Sequence, residues 1–128
     1  MAVIDWTNPP EEHVQRTVAD WLDRHGVRWF HPPNEGRHKA QYRRKQASLG
    51  LKPGVPDVMI VDPPPNVPGA VGTAIELKRK QGGQVSQEQR EWLEALEARG
   101  WYCAVCKGID EALELLERLG YGQRRAVG

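Results

Sequence analysis

Between Gly54 and Lys78 the chain holds two short apolar segments separated by a loop that can be neither helix nor strand. The first segment, Val58-Met59-Ile60-Val61, follows Gly54-Val55-Pro56-Asp57 and is apolar on both faces, as a strand buried on both sides must be. The loop, Asp62-Pro63-Pro64-Pro65-Asn66-Val67-Pro68-Gly69, carries too much proline for regular structure. The second segment is Ala74-Ile75-Glu76-Leu77-Lys78. Residues two apart on a strand share a face, so Glu76 and Lys78 lie together with Ala74, while Thr73, Ile75 and Leu77 take the other side. That arrangement puts Ile75 and Leu77 in the core and the polar pair in a cleft. Neighbouring strands are about 4.8 Å apart, so Asp57, at the start of one strand, and Glu76, in the next, can reach one point with Lys78 beside them. Such a point can hold a hydrated divalent cation against a phosphodiester. A Glu-x-Lys alone is an ordinary surface pair, and the rest of the chain has to give it meaning.

The 128 residues, 39% of them apolar, make one domain with one modest core, and five tryptophans help to fill it. No apolar run reaches the roughly 20 residues of a membrane span, and the N-terminus lacks a signal peptide's charged and apolar regions. The expectation is a cytoplasmic protein with no membrane contact. Cys103 and Cys106 fit a reducing compartment, and on a strand positions three apart face opposite sides, so they do not make a zinc site. Net charge is only +1, but it is segregated. Arg37, Lys39, Arg43, Arg44, Lys45 and Lys52 fall between Gly36 and Pro56 with no acid among them. That run is either a polyanion-binding face or a solvated helix face. Tyr42 lies within it and can stack on a base or simply pack.

Residues 1–8 read as an irregular lead-in. Asn8 suits a helix N-cap, with Pro9 and Pro10 at the first helical positions, and a helix follows from about Pro10 to His25, closed by Gly26. Its apolar stripe is Val14, Val18, Trp21 and Leu22. At about 100° per residue Glu11 projects near the centre of that stripe and Glu12 well away from it. Glu11 is therefore a candidate extra ligand, or a first-turn acid complementing the helix dipole. Val27-Arg28-Trp29-Phe30-His31 reads as a strand ended by Pro32-Pro33, with Asn34-Glu35-Gly36 as a turn. A lone histidine at a strand end is more often structural, so His31 stays out of the candidate site.

A short helix is expected from Lys39 to Leu49, closed by Gly50. Gly54 would let backbone approach substrate closely, and Pro56 would fix the entry to Asp57. Arg79 and Lys80 follow Lys78 and add base near a phosphate site. Ser86-Gln87-Glu88-Gln89 opens a helix as a capping box, with Trp92, Leu93 and Leu96 as its apolar stripe and Gly100 as its end. A strand over residues 101–106 and a helix over 110–119, with Leu113, Leu116 and Leu119 inward, complete the core, which leaves a frayed tail to Gly128.

The ordered set of helix, strand, Asn34-Glu35-Gly36, basic segment, Gly54-x-Pro56-Asp57, Glu76-x-Lys78, Ser86-x-x-Gln89, Gly100 and strand resembles the VRR-NUC family of the PD-(D/E)xK nuclease superfamily. The likeness runs from about Glu11 to Leu116. Each motif is short, and their order and spacing carry it. The resemblance implies an α/β fold with a restriction-endonuclease-like three-layer core, a central mixed sheet flanked by helices in the order α-β-α-β-β-α-β-α. It implies Asp57 and Glu76 as metal-binding acids, with a main-chain carbonyl near Leu77, for Mg²⁺ or Mn²⁺. Lys78 matches the family lysine, Gln89 its later glutamine and Glu11 its first-helix acid, with Glu12 as the other choice. Lys78 would orient the attacking water or offset transition-state charge. Gln89 would bond that water or Lys78, and Glu11 would hold water or a second ion. Small members resemble homodimeric enzymes that cut branched DNA such as four-way junctions. The expected function is therefore metal-dependent, structure-selective DNA cleavage. A silent DNA-binding module, a subunit of a repair assembly and a sequence-specific restriction enzyme are the alternatives.

Overall fold

The apolar stripe of the first helix repeats at helical spacing, and its central residues Val14, Val18 and Leu22 lose all solvent contact. This computed structural model describes residues 5–33 and 40–123, and for residues 40–43 the backbone alone. Within them the chain runs α1 (Glu11–Arg24), β1 (Trp29–Phe30), α2 (Ala40–Ser48), β2 (Val58–Ile60), β3 (Thr73–Lys78), α3 (Gln87–Glu97), β4 (Tyr102–Lys107) and α4 (Ile109–Arg118). A short 3-10 turn, Tyr121–Gln123, follows. The described strands form one sheet in the order β1-β2-β3-β4. β1, β2 and β3 are antiparallel in turn, and β4 runs parallel to β3. The expected order of elements and the mixed sheet flanked by helices are both present.

Side-chain alternation sorts the helices onto the two faces. Val58, Ile60, Ile75 and Leu77 pack with Val14, Val18 and Leu22 of α1 and with Ala112, Leu115 and Leu116 of α4. α3 covers the opposite face, where Met59, Trp92 and Leu96 line one apolar cavity. Its start is fixed by a complete capping box between Ser86 and Gln89.

Several local expectations are corrected. β1 covers only Trp29–Phe30 of the expected 27–31 strand. The Val27 N–H closes the end of α1 on the Leu22 carbonyl, and the Arg28 N–H goes to the Asp62 carboxylate instead of a strand partner. Val61 stands outside β2 and is 47% exposed. Asn8 does not cap α1: Pro10 occupies that position with no side-chain bond. Asn8 instead clips the loop after β3, exchanging bonds with Gln81 at 3.0 and 3.2 Å. The core also runs past Leu119. Tyr121 is fully buried, and its hydroxyl lies 2.8 Å from Thr73 Oγ1 and donates to the Asp62 carbonyl at 2.7 Å. The expected turn at Asn34-Glu35-Gly36 and the residues from Arg124 onward lie outside the described residues.

Candidate active site

Glu76 is set by the sheet. It follows Ile75, which pairs with Val58, so one more step of that register places it opposite Asp57. Asp57 itself precedes β2 and is half-buried. Its Oδ2 accepts the Leu77 N–H at 2.8 Å. Glu76 is 1% exposed, and its Oε1 accepts from Gln89 Nε2 at 2.7 Å. Lys78, on the same face as expected, brings Nζ to 3.7 Å from Glu76 Oε1 and is also buried. The acid–lysine pair thus lies inside the sheet–helix layer, not on an open cleft wall, and Asp57 is the acid that reaches solvent.

Glu76 is electrostatically out of place. Burial first, and then the Asp57 charge beside it, push its carboxyl up to about 9, against the pull of Lys78. Its Oε2 is buried with no hydrogen-bond donor. The neighbour it meets is the Asp57 carboxylate, and two ionised carboxylates cannot bond without a proton or a cation between them.

The β2–β3 ladder supplies a third oxygen. β1 takes its bonds from β2 at Val61, which donates to the Arg28 carbonyl, and so at alternate residues from there. The intervening β2 positions, Val58 and Ile60, therefore bond to β3 at Ile75 and Thr73. The next bonded pair in this register is Pro56 with Leu77. Pro56 has no N–H, so the Leu77 carbonyl has no ladder donor from that strand. The Leu77 carbonyl, Glu76 Oε2 and the Asp57 carboxylate are hard oxygen donors, the kind that Mg²⁺ or Mn²⁺ takes. No group of three histidine, cysteine or acidic side chains among the described residues is disposed to hold an ion, so the set rests on two carboxylates and a carbonyl.

A cleft of about 240 Å³ reaches Asp57 and Leu77 but not the buried Glu76, and is lined by Glu11, Glu12, Gln15, His31, Asp57 and Leu77. Glu11 and Glu12 separate clearly. Glu12 bonds Arg16 at 2.6 Å on the surface. The Glu11 carboxyl is raised by burial, lowered by Lys78 and raised by Asp57, so it lies in the field of the site although the residue keeps solvent contact. Two larger clefts lie elsewhere, of about 760 Å³ beside Trp6, Lys80 and Lys107 and about 340 Å³ between Lys52 and Trp92. Neither contains a buried acceptor without a donor.

Gln89 bonds Glu76 rather than Lys78, and its Oε1 also accepts the Ser86 N–H at 2.8 Å. The capping box therefore fixes the amide that holds Glu76. Gly54 approaches α3, not open space. Its φ is +82°, and a Cβ there would fall 2.6 Å from the Glu88 carbonyl carbon and 2.7 Å from Gln89 N. Of the expected nucleic-acid contacts, Arg44, Lys45, Lys52 and Lys80 face solvent. Arg79 does not: its Nη2 donates to the Asn8 carbonyl at 2.7 Å and its Nε is buried, so it anchors the lead-in. Arg37 and Lys39 lie outside the described residues, as do the side chains of Tyr42 and Arg43. His31, set aside from the sequence, lines the cleft and lies 2.6 Å from the Asp57 carbonyl through Nδ1. The signal for it was its place directly before a proline that interrupts a ladder.

The model of the VRR-NUC domain family matches residues 8–110. The chain belongs to the VRR-NUC domain family. A solved VRR_NUC domain protein overlays on this chain with a TM-score of 0.63 and 25% identity, covering 86% of this chain and 87% of the other. A second solved VRR_NUC domain has a TM-score of 0.56 and 20% identity, covering 84% of this chain and 94% of the other, a likeness of fold alone. No curated protein matches the chain significantly. VRR-NUC domains belong to a nuclease superfamily, which makes DNA the substrate class that follows and divalent metal the general cofactor. Among the described residues of this VRR-NUC domain, no helix is long and apolar enough to cross a membrane.

Proposed function

We propose that this VRR-NUC domain is a Mg²⁺- or Mn²⁺-dependent endodeoxyribonuclease that hydrolyses phosphodiester bonds in branched DNA such as four-way junctions, working as a cytoplasmic homodimer. The observation that carries the reading is the buried, donorless Glu76 Oε2 against Asp57. Asp57, Glu76 and the Leu77 carbonyl would hold the ion. When bound, it would supply Lewis-acid polarisation of the phosphate and of the attacking water. Gln89 would keep Glu76 aimed by its 2.7 Å bond. Lys78 would be freed from its carboxylate partner to offset charge on the phosphate. Glu11, on the cleft wall, would hold water on the open side of the site. Arg44, Lys45, Lys52 and Lys80 would contact phosphates without reading sequence, together with Arg37, Lys39, Tyr42 and Arg43. Paired cuts across a junction need two sites, which a homodimer supplies.

The test is incubation with duplex, flap and four-way junction DNA in Mg²⁺ or Mn²⁺, beside Asp57→Ala and Lys78→Ala. The expected result is cutting of junctions, lost by about 100-fold or more in both variants. Binding without cutting by the wild type would leave a DNA-binding module. Cutting of plain duplex at fixed sequences would make it a restriction enzyme. Light scattering that finds a monomer with and without DNA would remove the dimer.

A further inference from the structure

We infer that His31 is a positioning residue of the metal site, supplying to the Asp57 main chain the hydrogen bond that the sheet cannot. This rests on Asp57 being a metal ligand. The strand register shows where the bond is missing. Trp29 pairs with Ile60 and Phe30 with Met59. The Val61 N–H donates to the Arg28 carbonyl at 2.9 Å, so Arg28 and Val61 are a hydrogen-bonded pair. Such pairs recur at every second residue of an antiparallel ladder. The next is Phe30 with Met59, and the one after is Pro32 with Asp57. The bond due there runs from the N–H of residue 32 to the carbonyl of Asp57, and proline has no N–H. The His31 imidazole fills that place, with Nδ1 at 2.6 Å from the Asp57 carbonyl. A carbonyl only accepts, so Nδ1 carries the hydrogen.

Asp57 is therefore held by a side chain on each flank. Its carbonyl is bonded by the imidazole of His31, and its own carboxylate bonds the Leu77 N–H. Both substitutions occur where a proline, Pro32 or Pro56, faces the ladder. Without the imidazole the residue before β2 has no main-chain tether toward β1, and the carboxylate loses its fixed angle to Glu76. A bond of this kind, one step behind a metal ligand, changes metal affinity or activity by about 10- to 100-fold when it is removed.

The test measures Mn²⁺ affinity of the full chain by titration calorimetry, with cleavage followed separately. His31→Ala is expected to bind Mn²⁺ about tenfold or more weakly. His31→Asn, which keeps an N–H donor near the Nδ1 position, should recover most of the affinity. His31→Ala/Pro32→Ala should recover it too, because the second change restores the main-chain N–H at that position. Pro32→Ala alone should bind like the wild type. Circular dichroism checks the fold of each, and the rescued variants decide the matter should His31→Ala fail to fold. Wild-type affinity in His31→Ala, or no rescue by either second change, would overturn the inference. Wild type that binds Mn²⁺ but cuts no DNA refutes the nuclease reading alone, since the affinities still decide the role of His31. Wild type that binds no Mn²⁺ overturns both.

Discussion

Replacing Glu76 by Gln should stabilise the metal-free protein. The carboxyl is 1% exposed, accepts one bond from Gln89 and has a second oxygen with no donor. Burial and the Asp57 charge raise its pKa to about 9, whereas an unfolded glutamate titrates near 4.5. Over that window the folded chain carries one proton more than the unfolded chain. Stability therefore falls as pH rises, by about 1.4 kcal/mol per pH unit. From the unfolded value to pH 7 is about 2.5 units, so the ionisable side chain costs about 3 kcal/mol at pH 7 relative to a neutral one of the same shape. Glutamine is that neutral side chain. Its carbonyl can take the Gln89 bond and its amide can donate to Asp57. Urea denaturation in EDTA at pH 5, 6, 7 and 8 should give nearly equal stabilities at pH 5. A gap favouring the variant should widen with pH and reach about 3 kcal/mol at pH 7, about 10 °C in Tm. Groups away from this pair affect both proteins alike, so the difference reports Glu76 together with the Asp57 carboxylate coupled to it. Glu76→Gln no more stable than wild type at pH 8, or a gap that narrows with pH, would refute the reasoning.

Millimolar Mn²⁺ should raise the melting temperature of the wild type, with the larger effect at higher pH, and should leave Glu76→Gln nearly unchanged in a thermal-shift assay. Gly54→Ala should cost about 2 kcal/mol or more by denaturation, because φ is +82° and the added Cβ would fall 2.6 Å from the Glu88 backbone. Tyr121→Phe should cost about 1–2 kcal/mol, because the Asp62 carbonyl and Thr73 lose a buried hydroxyl partner. Affinity for junction DNA should fall steeply with salt on a log–log plot, and reversing charge at Arg44 and Lys45 should flatten the slope.

Element order was legible because it depends on local pattern. The stripe Val14, Val18, Leu22 and the capping box at Ser86 and Gln89 specify α1 and α3 without any tertiary information. The alternation through Ile75, Glu76 and Leu77 specifies β3 in the same way. The errors fall where a distant residue competes for a backbone group. Asn8 reads as a cap, but Gln81, far along the chain, takes its side chain. Arg28 reads as strand, but Asp62 takes its N–H. Tyr121 reads as tail because a single aromatic after a glycine has no periodicity, and its bonds to Thr73 and Asp62, far away in sequence, show that it closes the core.

The candidate site divides along the same line. Asp57, Glu76 and Lys78 follow from strand parity, which is local. The partner of Gln89 and the role of His31 do not, because each depends on which residue lies across the sheet. The prolines show why. In the sequence Pro32 and Pro56 say only that strands begin or end. Once the register is known, each marks a missing donor at a stated place, one facing the Asp57 carbonyl and the other the Leu77 carbonyl. The first gap is filled by His31, which tethers Asp57, while the second leaves without a ladder donor the Leu77 carbonyl, one of the proposed metal ligands. Restoring donors at these two positions should therefore have opposite effects. An N–H at residue 32 duplicates a bond already made and leaves metal affinity as it was. An N–H at residue 56, in Pro56→Ala, would compete with the cation for the Leu77 carbonyl and weaken Mn²⁺ binding. Calorimetry on the two single variants measures both, and equal effects would show that the prolines act only by stiffening the chain.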